Sequence, residues 1–338
     1  MGECYLNSLY FNGLGGISQA LFFMLIELTP KIWYLFIMTQ RGEMSMAEFH
    51  RRFPDEEACR DYLFRLRWPD GFICPRCQGP TYWSLPKRLL YECKGCRYQV
   101  SATAGSVLHR TRTPLLPWFW ALFLISSDKR GHSALSLSTE MGVSYWVAWT
   151  MLQKIRTAMG QQDDKYTLQG HVEMDEAYFG GERKGGKRGR GTTKPKVLVA
   201  VSTPADKRSA GFVKMKLVRA FDAVTIRAFV KNHLEPGCKI QTDGLNIYAG
   251  LGNLVQEHQS FVVSKGAKPL GWINTIVGNA KTFLLGTYHG RPDPKHLQAY
   301  LNEYCYRVNR RFWENQLFPR LVTACANCEP ITYSELTQ

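Results

Sequence analysis

Acidic residues are scarce in this sequence. Only 28 Asp and Glu stand against 43 Lys and Arg, which leaves a formal charge of +15 and a pI near 9.4. That imbalance points to a polyanionic partner, because phosphates neutralised by Lys and Arg release their counterions. Some basic proteins are merely soluble, so charge alone does not decide the matter. Long apolar runs are missing too. The stretch from Leu21 to Met38 is interrupted by Glu27, Pro30 and Lys31. It falls short of the roughly 18 uninterrupted apolar residues of a membrane span. It also lacks the basic leader and small-residue cleavage site of a signal peptide. No membrane partner is therefore expected, and the cytoplasm is the expected location. The glycine-rich segment GGERKGGKRGRGTTKPK has neither GxGxxG spacing nor a Lys-Ser/Thr ending, which excludes a Walker or dinucleotide loop. No internal repeat is apparent. A disordered chain is excluded by 45% hydrophobic and 13% aromatic content.

The ten cysteines are not arranged as a disulfide framework. Cys74 and Cys77 form CPRC, and after fifteen intervening residues Cys93 and Cys96 form CKGC. Two CxxC turns supply the four thiolates of a tetrahedral Zn²⁺ site, and four thiolates leave no open position for catalysis. Two redox dithiols are the other reading. Cys325 and Cys328 make a third pair with no partner pair nearby, and they are read as ordinary thiols.

From Ser45 to Leu66 the apolar spacing is helical, with Pro54 splitting the run. Between Ser133 and Met159 a helix is expected to end near Met141. Gly142 makes the turn, and Ser144 caps a second helix that carries Val147, Ala148, Met151, Leu152 and Ile155 inward. This is the layout of a DNA-reading helix-turn-helix, with Ser144, Trp146 and Lys154 as contact candidates. A plain helical hairpin has the same pattern. The polar run QQDDK after Gly160 reads as a linker or hinge.

The second half reads as three strands (HVEMDEAYF, KVLVAVST, AGFVKMKLV), a helix from Ala223 to Leu234, a fourth strand CKIQTD, and a helical end from Leu297 to Phe318. Asp175 lies inside an apolar strand, where a carboxylate is costly without a cation or partner. Asp243 closes CKIQTD. If the first and fourth strands are neighbours, the two carboxylates meet at one edge and suit Mg²⁺ or Mn²⁺. Otherwise Asp243 is a turn residue and Asp175 a salt-bridged one. Seven basic residues and one acid lie between Glu182 and Lys196. Among them Lys184, Lys187, Arg188 and Arg190 are candidates to clamp a DNA backbone. Arg307, Arg310 and Arg311 either reach phosphates or face solvent.

These motifs resemble, in order, the insertion-sequence transposases that carry an N-terminal zinc ribbon and a DDE-type catalytic domain. MSMAEFHRRFPDEEAC, the two CxxC pairs, GVSYWVAWTMLQKIR, VEMDEAYFGG, TDGLNIYAGL, NAKTFLLGTYHG and HLQAYLNEYCYRVNRR carry the resemblance, over roughly residues 44–315. It implies an α/β catalytic domain of ribonuclease H-like fold, a mixed sheet with helices, preceded by the ribbon and a helical helix-turn-helix region. It also implies that Asp175 and Asp243 open the acidic triad. The third member of that family stands seven positions before a basic residue. Here Lys281 fits the basic place, and Asn274, rather than glutamate, stands seven before it. Asn279 is a rival, while Asp293 and Glu303 lack the spacing.

The segments expected on this reading are an N-terminal extension over 1–43, a helical lead-in over 44–70, the ribbon over 71–101, the helix-turn-helix region over 102–162, the catalytic domain over 163–320 and a tail over 321–338. Residues 1–43, outside the resemblance, are expected to come from an over-extended reading frame or to form an accessory helix. The implied activity is metal-dependent cleavage and strand transfer at the inverted repeats of double-stranded DNA, by a homodimer or higher oligomer. The alternatives are a decayed relic that only binds DNA and a ribonuclease H-like nuclease that cuts without joining.

Overall fold

The computed structural model describes residues 44–181, 191–204, 209–261, 270–288 and 293–337. Helix α1 (Met46–Arg52) is capped by the Ser45 hydroxyl, which accepts the Glu48 N–H at 3.1 Å. Helix α2 (Glu56–Arg67) is capped by Asp55, which accepts from Ala58 at 2.8 Å. Pro54 separates the two as its spacing required. Strands β1 (Tyr82–Leu85), β2 (Leu90–Cys93) and β3 (Gln99–Val100) form the antiparallel sheet of the ribbon.

Three helices follow: α3 (Leu115–Ser127), α4 (Ala134–Met141) and α5 (Tyr145–Asp164). No side chain of its own caps α3 after Pro114; instead Glu56 of α2 accepts from Leu115 at 2.7 Å and Leu116 at 2.9 Å. Gly142 ends α4 at a φ of 64°, a conformation that glycine adopts without steric cost. Ser144 caps α5 by accepting from Val147. Ala148, Met151, Leu152 and Ile155 are buried and Val147 half-buried, on the face the spacing assigned.

The expected hinge at QQDDK is corrected: α5 continues to Asp164. The polar run is helical because its carboxylates have partners. Asp163 receives Arg310 at 2.6 Å and the Asn309 amide at 2.9 Å, and Asp164 receives Lys216 at 2.8 Å.

Next come β4 (His171–Tyr178), β5 (Lys196–Thr203), β6 (Val213–Val218), α6 (Ala223–His233), β7 (Lys239–Asp243) and β8 (Glu257–Phe261). The sheet order is β6-β5-β4-β7-β8. β5 is antiparallel to β4 and β6, while β7 runs parallel to β4 and β8. β8 is a strand that the sequence reading did not find. Helix α7 (Gly271–Tyr288) and helix α8 (Leu297–Asn309) cover one face, packing Ile273, Ile276, Leu284 and Leu301 on Ala177, Val197, Val199 and Met215. Helix α6 covers the other, with Ile226 and Val230 against Val172, Met174, Leu198 and Ala200. A five-stranded mixed sheet with its second strand antiparallel and helices on both faces is the ribonuclease H-like arrangement. Among the described residues no helix is long and apolar enough to cross a membrane.

The helical end is two elements, α8 and α9 (Leu317–Ala326), broken between them at 310–316, before a last turn α10 (Tyr333–Thr337). Leu321, Val322 and Cys325 of α9 lie in one core with Phe49, Phe53, Phe119 and Leu152, so residues 321–326 are core rather than tail. The Phe53 ring sits 4.8 Å from that of Phe119 and 5.6 Å from that of Phe318.

The three late arginines turn inward, which corrects the expectation of phosphate contact or solvent exposure. Arg310 pairs with Asp163, and Arg311 donates to the carbonyls of Ala210 and Gly211. Arg307 donates to Ile125 and Asp128 carbonyls and to Glu303. Glu303 itself is fully buried and also accepts from Arg156 of α5 at 2.8 Å. The two arginines hold its carboxyl below the usual range against the opposing effect of burial. Arg156 reaches the Tyr288 hydroxyl at 2.6 Å as well, so one buried ion cluster joins α5, α7 and α8. Glu303→Ala would strand two buried guanidinium groups, at a cost of about 3–5 kcal/mol. A clear fall in the urea midpoint is expected, and an unchanged midpoint contradicts this account.

Candidate functional site

The ribbon's four cysteine sulfurs lie within 4.8 Å of one another. The two closest pairs are Cys74 with Cys96 at 3.6 Å and Cys77 with Cys93 at 3.5 Å. A tetrahedron with Zn–S bonds of about 2.3 Å has edges of about 3.8 Å, so the set fits zinc. The two turns are built alike. Gln78 and Arg97, each just after the second cysteine, have φ of 61° and 58°. Their N–H groups donate to the carbonyls of Cys74 and Cys93 at 2.9 and 3.0 Å. Removal from solvent opposes ionisation of Cys74, but N–H groups of Cys77 and Arg76 and the neighbouring thiols outweigh it and bring its pKa down to about 7. Cys325 and Cys328 are buried elsewhere, and burial pushes both thiols up.

The second cluster forms on the large sheet. The parallel ladder pairs Val172 with Ile240 and Glu173 with Gln241. Continued two residues, this register sets Asp175 abreast of Asp243, across one strand spacing of about 4.8 Å. Burial raises the Asp175 carboxyl from 3.8 to about 6; the Glu176 N–H at 2.8 Å opposes that shift and the negative charge of Asp243 adds to it. Asp243 accepts the Leu245 N–H at 3.2 Å, which fixes it at the start of its turn. A half-buried carboxylate held abreast of a second one fits a divalent cation.

Asn274 lies in the first turn of α7, where its Nδ2 donates to the Leu270 carbonyl at 2.9 Å. Lys281 stands seven residues on, on the same helix face. Its ammonium is 5.7 Å from the centre of the Phe179 ring, just past the end of β4. Burial, then the charge of Lys194, lowers its pKa. Asn279 stands about 140° around the helix from Asn274, away from this face.

A residue that the sequence reading missed holds the start of α7. Glu173 of β4, 6% exposed, accepts the N–H groups of Trp272 and Ile273, both at 3.0 Å. Its signal was a second carboxylate in the apolar run VEMDEAYF, two residues before Asp175 and hence on the same face.

Trp146 is 63% exposed at the start of α5, and the Ser144 hydroxyl is engaged in capping. The Lys154 ammonium donates to the Val107 carbonyl at 3.1 Å, and burial lowers its pKa. Lys184, Lys187, Arg188 and Arg190 lie outside the described residues.

The raised Asp175 pKa has a direct consequence. Without a cation, the stability this carboxyl contributes is full below its ordinary pKa of 3.8 and is lost as pH rises through about 6. A bound cation favours the ionised form and reverses that loss. Millimolar Mg²⁺ is expected to raise Tm well above that pKa and hardly at all below it, with no such effect in Asp175→Asn. Equal shifts at both pH values by calorimetry contradict the assignment.

Residues 54–99 match the family described as a transposase zinc-ribbon domain, and residues 167–309 match the ISXO2-like transposase domain. No curated protein matches the chain. Among solved structures, the catalytic core domain of BIV integrase aligns at 12% identity over 42% of this chain and 84% of that one, with a TM-score of 0.28. A pre-cleavage Mos1 transpososome aligns at 10% identity over 62% of this chain and 78% of that one, with a TM-score of 0.23. Both scores are low, and the fold assignment rests on the strand order described above. Two family matches, in the order in which the cysteine pairs and the acidic strands occur, identify the chain as a member of the insertion-sequence transposases that join an N-terminal zinc ribbon to an ISXO2-like transposase domain.

Proposed function

We propose that the chain binds the terminal inverted repeats of its element and catalyses metal-dependent DNA cleavage followed by strand transfer. The observation that carries this reading is the pair Asp175 and Asp243, which the β4–β7 register, continued two residues, brings abreast, with Asp175 raised by burial and by the charge of Asp243. Both carboxylates would ligate Mg²⁺ or Mn²⁺, and Asn274 would supply a neutral amide oxygen from α7. Such ions supply the Lewis acid for in-line phosphoryl transfer, activating the nucleophile and stabilising the leaving 3′-oxygen.

Asn274 is preferred to Asn279 because it shares the face of Lys281, which leans on Phe179 at the end of the strand bearing Asp175. Lys281, partly desolvated, would contact the DNA phosphates. An amide in the third place brings no charge, so affinity for a second ion is expected to be weaker than with glutamate. The α4–α5 pair presents Trp146 outward at the position from which a recognition helix reads DNA, with Ser144 beside it. Joining two ends requires two active sites, so a homodimer or larger assembly is the expected working form.

The test is a cleavage and joining assay with the element's own flanking repeats and Mg²⁺ or Mn²⁺. The wild type should nick and join. Asp175→Ala and Asn274→Ala should do neither. Cutting without joining points to a simple nuclease. Binding without cutting, with either metal, points to a relic acting only as a DNA-binding protein.

A further inference from the structure

Helix α7 carries the third candidate ligand, and its N-terminus is tied to the strand that carries the first. Glu173 Oε2 accepts from Trp272 and from Ile273, the second and third residues of the helix, both at 3.0 Å. Those are the N–H groups that a capping side chain normally satisfies from within the same segment. Here the acceptor comes from 99 and 100 residues earlier in the chain. Its carboxylate is buried, and it also meets the positive end of the helix dipole. Asn274 is the next residue after Ile273, and Asp175 is two residues after Glu173, about 6.6 Å along the strand on the same face.

We propose that Glu173 is the positioning residue of the candidate metal site, clamping the start of α7 so that Asn274 stands over Asp175 and Asp243. The inference rests on the reading of those three residues given above. Glu173 acts through Asn274: its Oε2 is engaged by two backbone N–H groups. A direct ligand would contribute independently of Asn274, whereas a clamp loses its purpose once Asn274 is gone.

The same chain offers an internal control. Glu56 holds the start of α3 in the same way, from Leu115 and Leu116, but within the N-terminal core. If capping matters only for stability, losing either glutamate should lower Tm and leave metal affinity untouched.

The experiment is Mn²⁺ titration of the full-length protein, read by the electron paramagnetic resonance of free Mn²⁺, with melting followed in parallel. Asp175→Ala defines the site by removing binding. Glu173→Ala is expected to weaken Mn²⁺ binding by roughly tenfold or more, the usual effect of losing an outer-shell partner. Glu173→Asp, which keeps the charge but loses the reach, should do the same. Glu173→Gln, whose amide oxygen can accept both N–H groups, should stay near wild type. On an Asn274→Ala background, Glu173→Ala should cost nothing further, and Glu56→Ala should lower Tm alone. Wild-type affinity in Glu173→Ala, or equal losses with and without Asn274, would overturn the proposal. Wild-type binding no better than Asp175→Ala would instead remove the metal-site reading itself, and the clamp with it.

Discussion

The parallel pairing of β4 with β7 is the constraint on which the site depends. It brings together two strands separated by β5, β6 and α6, and its register, continued two residues, sets Asp175 inside β4 abreast of Asp243 at the end of β7. Such an arrangement is unfavourable by itself. Burial and the neighbouring charge both resist ionisation of Asp175, which is why its carboxyl rises to about 6. The chain retains this strain on a sheet face that also carries Ala177, Val197, Val199 and Met215, where an apolar side chain would pack at no electrostatic cost. On the proposed function, a divalent cation would be the counter-charge that makes the placement favourable, and it would also serve the proposed phosphoryl transfer.

Around that pair, the described residues form one body rather than a string of modules. Helix α9, from the end of the chain, completes the aromatic core of the N-terminal helices. The buried cluster of Arg156, Glu303, Arg307 and Tyr288 ties α5 to the helices that cover the sheet. Two helices take their N-terminal caps from distant glutamates, Glu56 for α3 and Glu173 for α7. Such caps fix the orientation of one element against another as well as satisfying the N–H groups.

What was legible in the sequence was local. The two CxxC turns, the Pro54 break, the Gly142–Ser144 turn and the alternation around Asp175 are set by neighbours in the chain, and the structure has them where the spacing placed them. Partners distant in sequence were not legible. QQDDK reads as a hinge until Asp163 is seen to meet Asn309 and Arg310, 146 and 147 residues away. β8, EHQSF, is a polar edge strand without an apolar alternation to betray it. Lys154, Arg307, Arg310 and Arg311 look like phosphate contacts in a basic chain, yet backbone carbonyls and buried carboxylates claim them. Glu173 was visible as a carboxylate in a strand, but its partners begin only at Trp272.

The central claim is that β4, β7 and the start of α7 converge on one divalent cation site. Anomalous diffraction from crystals soaked in Mn²⁺ tests it most directly. The account predicts a peak about 2.1 Å from carboxylate oxygens of both Asp175 and Asp243, with the Asn274 amide oxygen among the ligands. Density only elsewhere, or a peak that Asp243 does not touch, would contradict it.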